Sequence, residues 1–220
     1  MRIGIVGCGH IGGNCARRFV LSGKHEVLLS FSRDLSKLAD LARELGDRAH
    51  VGTPLEAVRF GDVVVFSVPW NVIPEALRQA GSLAGKIVID TTNQFGSTGL
   101  PPVGQTAAEH NAARMPGARY TKSFNTLTSR FQNEAAERTH DKKIVQWICG
   151  DDSEAKSIVT ALIEDAGYIA ADVGGTRDCE VMEAPRRKGA VYGEEYRKPE
   201  ALAVLECLRQ GKPIPPVPNY

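Results

Sequence analysis

Apolar and polar positions alternate along this chain between two periods, short continuous apolar runs and longer stretches with apolar residues three or four apart. Residues 3–6 are an apolar run, and an amphipathic stretch with Ile11, Cys15, Ala16, Phe19 and Val20 on one face follows, closed by Gly23. Glu26–Ser30 reads as a second strand. Leu35, Leu38, Leu41 and Leu45 keep helical spacing up to Gly46. Thr53-Pro54-Leu55-Glu56 is a capping box with proline at the first helical position. Asp62–Val68 and Lys86–Thr92 are apolar enough to be strands buried on both faces, as in a parallel sheet. Between them Ile73, Ala76, Leu77 and Ala80 mark a helix.

Residues 96–105 are dense in glycine and proline and read as a loop. Thr106-Ala-Ala-Glu109 caps a further helix, closed by Pro116-Gly117. Ala118–Asn125 is a strand, 127–137 a polar helix, and Lys143–Cys149 a strand. Gly150-Asp-Asp-Ser153 opens a helix through Ala166, and Tyr168–Val173 is the last strand. Leu202, Leu205 and Leu208 give one short helix before a proline-rich tail. Strands alternating with helices specify an α/β, Rossmann-type doubly wound sheet, mostly parallel, with right-handed crossovers. The expected organisation is one Rossmann-type domain over 1–175 and a small extension over 176–220.

The first strand ends in Gly7-x-Gly9-x-x-Gly12, directly before a helix. In a dinucleotide site the first glycine permits the tight turn, the second lets a pyrophosphate approach the backbone, and the third lets helix and strand pack closely. The helix start then presents free N–H groups and its positive end to the phosphates. His10 and Ile11 lie within this turn, and Cys8 fills a small-residue slot in it.

In an NAD site an acid about 20 residues past the glycines holds the ribose 2′-hydroxyl. Here that region reads Ser30-Phe31-Ser32-Arg33. A hydroxyl and a cation suit a 2′-phosphate, which a carboxylate would repel. Ser32 and Arg33, with Lys37 in support, therefore select NADP; the competing reading gives Asp34 an NAD role.

Bulk properties narrow the partners. A formal charge of +1 gives no electrostatic case for nucleic acid, and no apolar run approaches bilayer length. Five cysteines form neither a CxxC nor a metal spacing. That is the usage of reduced thiols in the cytoplasm, and no metal site is expected.

Several segments together resemble one family, the NADP oxidoreductases that depend on the deazaflavin coenzyme F-420. They are the glycine turn, Ser32-Arg33, Ser67-Val68-Pro69-Trp70, Val88 to Asn93, Pro116 to Arg119, Lys122-Ser123-Phe124-Asn125-Thr126 and Gly150-Asp151-Asp152. The resemblance runs through about residue 175. It implies hydride transfer between NADP(H) and coenzyme F-420, often in a homodimer. Ser67, Val68 and Pro69 would lie along the nicotinamide half of the cofactor, with Asn93 nearby. Asn93 and His10 are the candidate catalytic residues, while Lys122 and Asn125 are read as ties between a core strand and neighbouring backbone. The family's second-substrate helix has no match after residue 175, so the acceptor stays open: F-420, a flavin, a ferric chelate, or a small carbonyl or imine. The basic run Arg186-Arg187-Lys188 would meet an anionic acceptor tail or form a solvated face. A binding protein without turnover is the alternative of a different class.

Overall fold

A computed structural model of the chain describes residues 1–32, 34–96 and 98–220. Eight strands make one sheet: β1 (Arg2–Val6), β2 (Glu26–Ser30), β3 (Ala49–Val51), β4 (Val63–Phe66), β5 (Ile87–Asp90), β6 (Arg119–Ser123), β7 (Val145–Gly150) and β8 (Ile169–Gly174). Their order is β3-β2-β1-β4-β5-β6-β7-β8. Neighbours run parallel except β6 and β7, whose register pairs Lys122 with Cys149. The order reverses between β1 and β4, and there the carboxyl ends of the strands open a crevice for a ligand.

Among the described residues eight α-helices cover both faces: α1 (His10–Leu21), α2 (Leu35–Leu45), α3 (Pro54–Phe60), α4 (Ile73–Ala80), α5 (Ala107–Arg114), α6 (Ser129–Ala135), α7 (Ser153–Asp165) and α8 (Lys198–Arg209). Alternation within the buried strands feeds two cores. Val63 and Val65 of β4 face Phe19, Leu38 and Val159 of α1, α2 and α7. Val64 and Phe66 face the layer containing Ala57, Ile73, Ala108 and Val204 of α3, α4, α5 and α8. Burying both sheet faces requires the continuous apolar runs seen in β4 and β5.

Both capping boxes form: Thr53 Oγ1 accepts the Glu56 N–H and Thr106 Oγ1 the Glu109 N–H, with each glutamate returning to its cap residue. The polar helix expected over 127–137 is shorter, Ser129–Ala135. β3 was not anticipated. It is three residues long and two of them are exposed, so it carries no apolar pattern.

Residues 176–220 pack into the same core. Met182, Val191, Tyr196 and Val204 are buried there, with the Tyr196 ring edge-on to Trp147 at 5.4 Å. Glu183 accepts the N–H groups of Ala107 and Ala108, both at 2.9 Å, and so holds this stretch to the start of α5.

Candidate active site

Two clefts open near the carboxyl ends of the strands. The larger, about 1110 Å³, lies over the glycine turn. Gly7 has φ +105, and a side chain there would meet the Ser67 carbonyl oxygen at 2.2 Å. A Cβ on Gly12 would lie 2.0 Å from the Gly7 oxygen. Both glycines are thus required by the fold itself. Gly9 differs, because a Cβ there meets nothing within 4 Å among the described residues. Its bareness serves open space in the cleft rather than packing. Directly after it α1 begins with no side-chain cap, as do α4 and α8, whereas α2, α3, α5, α6 and α7 are capped by Asp34, Thr53, Thr106, Thr128 and Asp152. The cleft therefore combines a flat backbone floor with uncapped N–H donors at a positive helix end, the chemistry that holds a pyrophosphate.

Gly7, Gly9, His10, Ser32, Lys37, Ser67, Val68 and Pro69 all line this cleft. Gly12 packs behind it, and Arg33 lies outside the described residues. Asp34 also lines the cleft, but its carboxylate caps α2, accepting from the Ser36 N–H at 3.0 Å and the Ser36 hydroxyl at 2.6 Å. Both bonds go to Asp34 Oδ1 and hold its carboxyl below the usual range. Burial pushes the Cys8 thiol up to about 12, so this cysteine is a small filler and not a nucleophile. Phe31, in the cleft wall, has φ +56; sequence patterning gave no sign of this bend.

The second cleft, about 670 Å³, is assembled from the ends of β5 and β6 and from residues 186–195. Ile11 and Asn93 line this cleft, not the first. Ser67 in one cleft accepts a hydrogen bond from Thr91 in the other at 2.8 Å, so the two share a wall. The Asn93 amide donates to the Asn125 carbonyl at 2.8 Å and accepts from the Asn125 side chain at 3.2 Å. Its polar atoms therefore fix the β5–β6 ends. Phe95 and Tyr192 stand at the rim with centroids 6.5 Å apart, from segments too distant in sequence to be paired by pattern. Arg186 lines the cleft and is ion-paired with Glu194, while Arg187 bonds the Glu183 carbonyl.

Between β5 and β6 Lys122 is fully buried, donating to the Thr92 carbonyl and lying 3.5 Å from Asp90. Burial alone would lower the Lys122 ammonium, but Asp90 together with Cys179, Glu183 and Cys149 outweighs it and raises the group above its ordinary value. Asn111 and Tyr120 complete the bonds to Asp90. The expected structural role of Lys122 and Asn125 agrees with these contacts. Among the described residues no group of His, Cys, Asp and Glu is arranged to hold a metal, and no helix is long and apolar enough to cross a membrane.

Residues 2–94, which span the glycine turn through Asn93, match the model of the family NADP oxidoreductase, coenzyme F420-dependent. Through this segment the chain is similar to that family. The similarity extends beyond the segment. The metalloreductase STEAP3 of Rattus norvegicus is 30% identical over 183 residues, which cover 83% of this chain and 36% of the relative. The chain thus spans about a third of the length of that curated relative. A hypothetical protein from Sinorhizobium meliloti shares the fold with a TM-score of 0.77 at 24% identity, over 90% of this chain and 95% of that one. A candidate F420-dependent NADP reductase from Arthrobacter sp. FB24 does so with a TM-score of 0.65 at 24% identity, over 79% and 85%. The family is one of NADP-dependent oxidoreductases, and its segment in this chain contains the whole glycine turn and the shared wall.

Proposed function

We propose that this chain is an NADP(H)-dependent oxidoreductase that exchanges a hydride with the deazaflavin coenzyme F-420. The observation that carries the dinucleotide half is Gly9, a glycine that the fold does not need, facing open space before an uncapped helix. The turn from Gly7 to His10 would hold the pyrophosphate. Ser32, Arg33 and Lys37 would read the 2′-phosphate, a reading favoured by the commitment of Asp34 to α2. Bound NADPH supplies a hydride with both electrons to the acceptor's ring carbon, and the acceptor takes one proton from solvent.

The chain's part is positioning. The Ser67–Thr91 bond fixes the wall between the clefts, and the Asn93–Asn125 pair fixes its edge. His10 and Ile11 flank the turn on the side of the first and second cleft respectively. Phe95 and Tyr192 give the second cleft aromatic rims against which a planar ring would stack and from which water is displaced. Residues 186–195 would complete that pocket. The reading keeps the chain as a cytoplasmic homodimer, expectations that rest on cysteine usage and on the family resemblance.

The metalloreductase relative favours a second reading, a ferric chelate as final acceptor. A ferric ion accepts one electron where a hydride carries two, so two ferric ions or an intervening flavin would be needed. The test is turnover of purified protein with NADPH and oxidised deazaflavin coenzyme, followed by loss of the deazaflavin's visible absorbance, with NADH in parallel. Bleaching with NADPH far faster than with NADH is expected. NADPH binding without bleaching would remove F-420 as the acceptor and direct the search to ferric chelates and flavins.

A further inference from the structure

Two residues that line the second cleft carry buried polar atoms that the described residues leave unpaired. Asn125 is 3% exposed and Thr126 2% exposed, and both line the cleft. Asn125 Oδ1 and Thr126 Oγ1 are buried without a hydrogen-bond partner among the described residues. The orientation of the Asn125 amide is fixed: its nitrogen donates to the Met182 carbonyl at 2.8 Å and to Asn93 Oδ1 at 3.2 Å, and a carbonyl can only accept. The atom left over is therefore an oxygen acceptor. Thr126 is placed by its backbone, whose carbonyl accepts the Gly193 N–H at 2.8 Å, so its hydroxyl plays no part in holding the fold.

The chain bends sharply into this pair. Phe124, immediately before them, has φ +57 and is buried edge-on to Phe19 and Tyr168. A non-glycine residue in the left-handed region is a strained conformation that surrounding packing must hold. Two orphaned polar atoms at such a bend are costly unless something else pairs with them.

We infer that Asn125 Oδ1 and Thr126 Oγ1 recognise the acceptor, and that the acceptor is a planar conjugated ring presenting an amide or imide edge, its N–H donated to Asn125 and its carbonyl bonded by the Thr126 hydroxyl. This rests on the reading of the second cleft as the acceptor site. The walls fit the rest of such a ring: Ile11, Leu127 and Phe131 are apolar, and Phe95 and Tyr192 are aromatic. Asn125 and Thr126 also hold residues 182 and 193, so the groups that read the ring edge are built into the same corner as the cleft's outer wall.

The test leaves Asn125 in place, since replacing it would break the bond to Met182. Binding of lumiflavin and of 3-methyl-lumiflavin, which lacks the imide N–H, is followed by fluorescence on the intact chain. The unmethylated ring is expected to bind about tenfold more tightly. Thr126→Val is expected to weaken lumiflavin by a similar factor and raise the acceptor KM in turnover with deazaflavin, with NADPH affinity unmoved, while Thr126→Ser restores binding. Equal affinity for the two flavins, or no binding of lumiflavin, overturns the inference. So does a Thr126→Val protein that melts higher and binds lumiflavin unchanged, because the hydroxyl would then be only a packing defect. Turnover of deazaflavin by the wild-type chain in any of these cases leaves the acceptor reading standing while this inference falls.

Discussion

The two clefts are built by opposite means. The glycine-turn cleft is made largely of main chain: one continuous turn, a helix start without a cap, and a bare position at Gly9. The second cleft is made of side chains brought from the ends of β5 and β6 and from residues 186–195, with two of its polar atoms unpartnered. Backbone donors suit a ligand part that never varies, such as a pyrophosphate. Side-chain walls suit a ligand that differs between members of one fold.

The sharpest way to break the comparison is at the third glycine. Gly12→Val drives a side chain into the Gly7 carbonyl, and loss of more than about 4 kcal/mol is expected, enough to abolish soluble folded protein. A Gly12→Val protein that melts like the wild type would mean that the turn is not packed as described. Next comes the buried ion pair between β5 and β6. Lys122→Met strands Asp90 in the interior, and a loss of about 3–5 kcal/mol in urea unfolding is expected. An unchanged urea midpoint would contradict the buried pair.

Smaller in effect is the choice of cofactor. Arg33→Ala is expected to weaken NADPH about tenfold or more while leaving NADH nearly unchanged, measured by calorimetry. Equal losses would show that another group reads the 2′-phosphate. Smallest is the acid response of the β6–α7 junction. Arg119 holds the Asp152 carboxyl well below the usual carboxylate range, with contacts of 2.6 and 2.9 Å. A depressed folded-state value means that this stabilisation is full above pH about 4 and is lost as pH falls through the folded value. Melting curves of Asp152→Asn should therefore converge with the wild type at low pH and lie below it at neutral pH.

Legibility in the sequence follows the same division. The glycine turn, Thr53-x-x-Glu56 and Thr106-x-x-Glu109 are each decided within a few residues, and each forms as read. The parallel strands are legible because burial on both faces leaves nothing polar in β4. The reversal of β7 against β6 is not, since strand direction depends on where the chain re-enters the sheet. The meeting of Phe95 with Tyr192, and of Asn125 with Met182, depends on the fold bringing distant segments together. Lys122 and Asn125 were visible as residues of a motif. The unused oxygen on Asn125 became visible only when its other bonds could be counted.

The central claim is that the bare space at Gly9 is a cofactor's place. Calorimetric titration of NADPH into wild-type and Gly9→Leu proteins, with melting curves of both, tests it most directly. The account predicts that NADPH binds the wild type, that binding is lost in Gly9→Leu, and that the two proteins melt alike, since the added side chain meets no protein atom near its Cβ. NADPH affinity retained in a folded Gly9→Leu protein would contradict it.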